Sequence, residues 1–171
     1  MKSLIIYSST DGQTKKICEI IKKNSNNSET IELSSLEDAF NLNINSYDQI
    51  IIGASIRYGN YKLNLFKFIK DNIKILDKKD NAFFSVNVVA RKKEKNTPDT
   101  NPYIKKFLKK TNWKPKKIAV FAGKVDYPSY NFFNKLIIKF IMFLTKGPTD
   151  TSQSYEFTDW EKIKEFSREL N

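Results

Sequence analysis

Short apolar runs alternate with amphipathic stretches along most of the chain, and this alternation limits the possible folds more than any other feature. Mostly apolar runs predict five strands, at Lys2–Tyr7, Thr30–Leu33, Gln49–Gly53, Ala82–Val89 and Lys117–Ala122. Helical spacing of apolar residues predicts helices at Gln13–Lys23, Leu63–Ile73 and Pro102–Lys110, and Thr158–Glu161 has the spacing of a capping box before a last helix through Leu170. The economical fold is an α/β, doubly wound five-stranded parallel sheet, within one domain spanning residues 1–171.

In such a sheet, ligands bind beyond the carboxyl ends of the strands, where the strand order reverses. We therefore expect a site in the loops after the first, third, fourth and fifth strands. The first of these, YSSTDGQT at residues 7–14, crowds small polar residues between a strand and a helix. Backbone N–H groups and hydroxyls at a helix start suit a phosphate. The same residues also serve as ordinary helix caps, and the loop matches neither common phosphate-binding signature, so both interpretations stay open.

The composition excludes several kinds of site. The chain has 171 residues, no histidine and a single cysteine, Cys18. Without histidine there is no Ser-His-Asp triad and none of the commonest zinc sites, so we expect no metal, and an enzyme of this composition points to a bound cofactor. A lone cysteine, the lack of a secretory signal and the lack of a run of about 20 apolar residues lead us to expect a cytoplasmic protein.

The net charge of +11 is concentrated in one stretch. Between Arg91 and Lys117, eleven basic residues stand against Glu94 and Asp99, which leaves +9 there. Such a patch favours an anionic partner such as nucleic acid, acidic lipid or a polycarboxylate, while a solvated lysine-rich surface is the plain alternative. The patch lacks the regularly interleaved aromatic residues of single-strand binders, so we do not expect nucleic acid as the partner.

One segment interrupts the alternation. Residues 123–155 are too long for a simple connection, so we expect an apolar and basic helical insert at about 124–152. Its central part, residues 130–147, has a narrow polar stripe that includes Lys135 and Lys139. Apolar side chains fill most of the remaining circumference, among them Phe132, Phe133, Phe140 and Phe143. This helix either packs against the sheet or lies in a membrane surface with its lysines facing the headgroups.

Several stretches, taken together, resemble a known family. They are GASIRYGNY at 53–61, SVNVVARKKEKNTPDTNPYIKKFL at 85–108, FAGKVDYPSYNFFNKLIIKFIMFLTKGPTDTS at 121–152, and Phe157–Trp160. In this order they are similar, essentially from end to end, to the flavodoxin-like, menaquinone-dependent protoporphyrinogen oxidases of haem biosynthesis. The first loop is also similar to the FMN-phosphate loop of flavodoxins. Ser9, Gly12 and Thr14 match it, while Asp11 stands where flavodoxins usually carry a hydroxyl.

The resemblance implies that the chain binds FMN, oxidises protoporphyrinogen IX and passes the electrons to menaquinone or another membrane quinone at the cytoplasmic face of the membrane. It assigns no side chain as catalytic, because the chemistry takes place at FMN. The phosphate is expected at Ser9, Thr10, Asp11, Gly12, Gln13 and Thr14. The flavin ring is expected between two groups, which are Ser55, Ile56, Arg57, Tyr58 and Gly59, and Asn87, Val88, Val89, Ala90 and Arg91.

The charge of the implied substrate suggests its contacts. A porphyrinogen carries two propionates, which Arg57, Arg91 and nearby lysines could pair with, and Arg57 is favoured because its guanidinium offers a fork of donors in an expected flavin loop. Tyr58 either covers the flavin or packs against the protein. The apolar insert would face the membrane and its quinone. An electron-carrying flavodoxin or a general quinone reductase is the alternative, although carriers of that kind are generally acidic, unlike this chain with its charge of +11.

Overall fold

Five parallel strands form the centre of the fold. In a computed structural model, which describes residues 1–26 and 28–170, they are β1 (Ser3–Ser8), β2 (Ile31–Ser35), β3 (Gln49–Ser55), β4 (Asp80–Val86) and β5 (Lys117–Phe121). Their order is β2-β1-β3-β4-β5, and neighbouring strands are parallel. The predicted doubly wound sheet is thus confirmed. The chain moves outward from β1 to β2 and returns to the other side of β1 for β3, so the strand order reverses there.

Helices cover both faces of the sheet. The helices are α1 (Gln13–Asn24), α2 (Leu36–Ala39), α3 (Leu63–Leu76), α4 (Pro102–Thr111), α5 (Phe132–Leu144) and α6 (Trp160–Glu169). One face, with Ile5 and Ile51, is covered by α1 and α6. The other face, with Ile6 and Ile52, is covered by α3 and α4. Successive strand residues point to opposite faces, so the central strands are apolar along their length because both faces are buried.

The end of β4 differs from the prediction. The strand ends at Val86 rather than Val89, and residues 88–91 form a 3-10 turn. Asn87 caps this turn, because its Oδ1 accepts the N–H of Ala90 at 3.1 Å. A polar side chain that bonds to the nearby backbone ends the strand, although the apolar run continues beyond it.

The start of α6 also differs from the prediction. Asp159 rather than Thr158 is the capping residue, because the Asp159 carboxylate accepts the N–H groups of Glu161 and Lys162, each at 3.1 Å. The hydroxyl of Thr158 instead donates to the carbonyl of Ala122 at 2.9 Å. The predicted helix is therefore present, but its predicted cap belongs to the contact with the end of β5.

The insert between β5 and α6 is closed by a short antiparallel pair that the sequence does not predict. Strand β6 (Lys124–Asp126) pairs with β7 (Ser154–Glu156), so the insert ends at residue 156 rather than at about 152. Strands of three residues are too short to show a periodicity. The insert has a separate small core, formed by Val125, Tyr127, Tyr130, Ile138 and Met142.

Helix α5 packs through one narrow side. Ile138 and Met142 are buried, whereas seven apolar side chains are between 45% and 76% exposed. These seven are Phe132, Phe133, Leu136, Ile137, Phe140, Phe143 and Leu144. The interpretation of this segment as a helix packed into the core is therefore wrong for most of its circumference. Among the described residues, no helix has both the length and the apolar character needed to span a membrane.

Gly53 in β3 makes room for the ring of Phe84 in β4. A Cβ atom at position 53 would lie 2.1 Å from Cζ of Phe84. We expect Gly53→Ala to lower the free energy of unfolding by about 1–3 kcal/mol, the usual cost of overpacking a core, as measured by urea denaturation. The double variant Gly53→Ala/Phe84→Leu should lose less than the sum of the two single variants, because the smaller side chain relieves the clash. Strict additivity would contradict this explanation.

Candidate active site at the strand ends

Polar loops follow β1, β3, β4 and β5 at one edge of the sheet and enclose a cavity of about 50 Å³, which we call the strand-end cavity. Ten of the predicted cofactor residues line it: Ser9, Thr10, Asp11, Gln13, Thr14, Ser55, Ile56, Arg57, Asn87 and Val88. Val86, Gly123 and Lys124 complete the lining. The loops that the topological rule selects from the sequence therefore bring together residues from four separate parts of the chain.

The loop after β1 holds a buried hydroxyl that the protein does not satisfy. Gly12 has a φ of 87°, which favours glycine, and its N–H donates to Oγ of Ser9 at 3.1 Å. The next turn of the chain buries Thr14, which is 1% exposed. Its Oγ1 has no hydrogen-bond partner among the described residues. Such a group costs about 1–3 kcal/mol, and an acceptor placed in the cavity that Thr14 lines would satisfy it.

Two of the predicted residues support the loops with their own side chains. The Gln13 amide donates to Oγ1 of Thr158 at 2.8 Å and to Oε1 of Glu156 at 3.1 Å, which joins the first loop to the end of the insert. The buried Asn87 amide donates to Oγ of Ser85 at 3.0 Å and accepts from the amide of Asn101 at 3.2 Å. Both side chains thus fix the backbone around the strand-end cavity.

An ion pair between Arg57 and Asp11 connects the loops after β3 and β1. The guanidinium carbon of Arg57 lies 5.0 Å from the ring centre of Tyr58 and 4.9 Å from that of Tyr130. The Tyr130 hydroxyl also donates to the Asp11 carboxylate, at 3.3 Å. Burial opposes the charge of Arg57, yet the carboxylate of Asp11 holds the pKa of the guanidinium above its usual value. The carboxylate that departs from the flavodoxin loop pattern is therefore balanced by a cation.

A second cavity, of about 100 Å³, adjoins the strand-end cavity on the side of α5, and we call it the insert cavity. Asp11, Ile56, Arg57, Asn87, Val88 and Lys124 line both cavities. The rest of its lining is mostly apolar and consists of Tyr58, Gly59, Val89, Tyr103, Val125, Tyr130, Ile138, Ile141 and Met142. The narrow buried side of α5 is therefore one wall of this cavity.

Tyr58 bridges the loop after β3 and helix α5. It has a φ of 50°, rare for a residue other than glycine, and its neighbour Gly59 has a φ of 77°. The backbone groups of Arg57 and Asn60 close the turn, with N–H···O distances of 2.9 and 3.1 Å. The Tyr58 hydroxyl donates to Oδ1 of Asn134. This tight turn places a half-exposed ring beside the insert cavity.

Ala90, Arg91 and Gly12 line neither of these two cavities. Arg91 donates to the carbonyl of Val88 at 2.9 Å and to that of Thr145 at 2.7 Å. Burial lowers its pKa from the usual value. In this structure, Arg91 joins the turn after β4 to the end of α5.

Sequence reasoning missed several lining residues. Gly123 and Lys124 lie two and three residues after the end of β5, in a loop that the strand-end rule did select although no residue of it was named. Tyr103 and Tyr130 come from α4 and the insert, and no local pattern marks them. Their position depends on how those elements pack against the sheet.

Comparison with known proteins agrees with this geometry. A family model of the flavodoxin domain matches residues 4–152. The chain is 42% identical over 176 residues to the protoporphyrinogen IX dehydrogenase (quinone) of Escherichia coli strain K12, with 99% of this chain and 94% of that protein covered.

Solved structures of low identity share the fold. A short-chain flavodoxin associated with a bacterial microcompartment has a TM-score of 0.56 at 12% identity, with 99% of this chain and 97% of that one covered. A flavoprotein from Lactobacillus acidophilus NCFM, solved in complex with FMN, has a TM-score of 0.50 at 18% identity, with 70% and 92% covered.

Tyr58→Phe tests whether the bridge to Asn134 restrains α5. Because this hydrogen bond is exposed, we expect the free energy of unfolding to change by no more than about 1 kcal/mol. Amide hydrogen exchange in α5 should nevertheless become faster, while exchange in α3 should not change. Tyr7→Phe, at a ring near Lys15 of α1, is the matched control. Equal exchange in α5 for the two variants would contradict the bridging role.

Proposed function

The chain belongs to the flavodoxin domain family and, within it, to the group of the protoporphyrinogen IX dehydrogenases (quinone), and we propose that it is an FMN-dependent oxidoreductase. Its proposed reaction converts protoporphyrinogen IX to protoporphyrin IX in haem biosynthesis, and menaquinone or another membrane quinone accepts the electrons. The observation that carries the proposal is the cavity at the reversal of the strand order, into which four loops converge and beside which Thr14 keeps a buried, unsatisfied hydroxyl.

The residues of the strand-end cavity fit the phosphate of FMN. Helix α1 begins at this cavity, its first turn contains no acidic residue, and a helix N-terminus attracts an anion. The unsatisfied hydroxyl of Thr14 is a donor for a phosphate oxygen. The carboxylate of Asp11 would repel the phosphate if it were unpaired, but Arg57 balances its charge. We assign the phosphate to the loop Ser9–Thr14, and the two sides of the flavin ring to residues 55–59 and 87–89, with Ala90 and Arg91 supporting the second side from behind.

When bound, FMN would supply the electron-transfer chemistry. Arg57 and Tyr58 line the insert cavity next to the proposed flavin position, so we assign them to the surface that the ring of the tetrapyrrole contacts. Ile138, Ile141 and Met142 form an apolar wall opposite and keep water from the reacting faces. Arg91 acts in this proposal mainly by holding the turn after β4 against the insert.

The exposed face of α5 suits contact with a membrane surface, where an apolar quinone is dissolved. Seven large apolar side chains exposed on one helix are unusual in a protein that has no partner for them. Lys135, Lys139 and Lys146 border this exposed face, and each basic residue near an anionic surface contributes about 1 kcal/mol. We propose peripheral association with the cytoplasmic face, since the single Cys18 suits a reducing compartment.

Thr14→Val tests the phosphate site by comparing its effect on FMN binding with its effect on the stability of the fold. Removing a buried hydroxyl that has no partner should leave the free energy of unfolding of the FMN-free protein unchanged or raise it. A hydrogen bond to a charged group contributes about 1.5–3 kcal/mol, so the Kd for FMN should rise roughly ten- to hundredfold. Thr111→Val is the control, because its hydroxyl bonds to the carbonyl of Phe107 within α4. A flavin titration that gives the wild-type Kd for Thr14→Val would remove Thr14 from the phosphate site.

Phe140→Ser/Phe143→Ser tests the membrane contact. The two rings are 61% and 70% exposed, so the melting temperature should hardly change. Co-sedimentation with anionic vesicles should fall at least tenfold, because burying a Phe side chain contributes about 1.5–3 kcal/mol. Binding of the wild type should also weaken with added salt. Leu63→Ser, at an apolar residue that is 79% exposed outside the insert, is the control. Equal vesicle binding by all three proteins would refute the membrane contact.

A further inference from the structure

Both arginines near the proposed flavin site are already bonded within the protein. The guanidinium of Arg57 pairs with the carboxylate of Asp11. That of Arg91 bonds to the carbonyls of Val88 and Thr145. The positive charge of Arg57 is thus already balanced by a carboxylate of the protein, and two nitrogens of Arg91 already donate to the backbone. Other cations near the proposed flavin site, whose charge no carboxylate among the described residues balances, are therefore better placed to receive the carboxylates of the substrate.

A third cavity, of about 290 Å³, lies between the loop after β3 and helix α4, and we call it the lysine cavity. It shares Ile56, Gly59 and Tyr103 with the insert cavity, so the two cavities adjoin at these residues. Its volume is close to the roughly 300 Å³ at which small-molecule pockets begin. A Cβ atom at Gly59 would meet nothing within 4 Å, so the space beside Gly59, where the two cavities adjoin, is open.

Lys106 and Lys110 stand at the rim of the lysine cavity. They are one helical turn apart in α4, which puts their Cβ atoms about 5–6 Å from each other on one face. The ammonium of Lys106 donates one hydrogen bond to Oδ1 of Asn60 at 3.3 Å, which leaves two of its three N–H groups, and Nζ of Lys110 lies 3.9 Å from the ring centre of Phe66. Within residues 1–26 and 28–170, neither ammonium has a carboxylate within 4.0 Å. Both charges are therefore available to a ligand.

We propose that Lys106 and Lys110 bind the two carboxylates of the tetrapyrrole, and that its ring extends across Gly59 and Tyr103 towards the insert cavity. This inference rests on the proposed function. Protoporphyrinogen IX carries its propionates on adjacent pyrrole rings, so both leave the same edge of the molecule, as both lysines leave the same face of α4. Phe66, Tyr61 and Phe107 line the cavity below and match the apolar body of such a ligand. The two lysines thus select flat molecules with two neighbouring carboxylates.

The test compares two charge reversals within one helix. Lys106→Glu/Lys110→Glu changes the proposed anchors, and Lys105→Glu/Lys109→Glu makes the same change in net charge at exposed lysines that do not line the lysine cavity. The probe is protoporphyrin IX, whose fluorescence is followed as the FMN-loaded protein is added. We expect the Kd to rise about tenfold or more for the first variant and less than about threefold for the second. The dimethyl ester of protoporphyrin, which has no carboxylates, should bind both variants alike.

The outcomes separate this inference from the proposed function. Equal Kd values for the two variants, an equal loss with the dimethyl ester, or no binding of protoporphyrin IX by the wild type would overturn the lysine assignment. Flavin binding and turnover of protoporphyrinogen IX are measured separately, and their failure would overturn the proposed function instead. Melting curves check that both variants are folded, and Lys106→Gln/Lys110→Gln repeats the comparison without introducing acidic groups.

Discussion

The reversal of strand order beside β1 is the constraint on which the site depends. Because β1 lies between β2 and β3, the loops that leave β1 and β3 start side by side, yet they lead to helices on opposite faces of the sheet. A gap opens between them, and the hydroxyl of Ser55, which donates to the carbonyl of Ser8 at 3.2 Å, holds the two strand ends together below it. The ion pair of Arg57 with Asp11 crosses the same gap and, through Tyr130, brings the insert to it.

The sheet and its long helices could be predicted because burial leaves a period in the sequence. Strands buried on both faces are continuously apolar, as in Gln49–Ser55, and helices buried on one side repeat with the helical period, as in Leu63–Leu76. The prediction failed where one polar side chain decides the boundary, at Asn87 and Asp159. It also failed at β6 and β7, whose three-residue pairing is fixed by the small core of the insert rather than by a local preference.

The site was predictable only as far as it follows the strand ends. The loops after β1, β3 and β4 could be selected from topology, and the family resemblance named the residues within them. Tyr103 and Tyr130 instead line the insert cavity through the packing of distant elements. The roles of the basic residues could not be predicted from the sequence either. The eleven basic residues between Arg91 and Lys117 look alike in the sequence, but their contacts differ, since Arg91 is bonded within the fold while Lys106 and Lys110 border a cavity.

The strand-end, insert and lysine cavities adjoin one another and together form the proposed cleft, whose sides differ in polarity. Polar groups line the strand-end cavity, where we propose the phosphate, and the lysines of α4 border the cavity where we propose the carboxylates. The remaining side, formed by α5, has apolar residues both in the lining of the insert cavity and on its exposed surface. The two reactants that we propose differ in the same way, because one is a dianion and the other is soluble in lipid. A dianion is attracted to the basic side and disfavoured near the apolar one, whereas a quinone follows the opposite preference. The same helix that closes the cleft would then keep the acceptor close to the flavin while the charged substrate enters from the aqueous side.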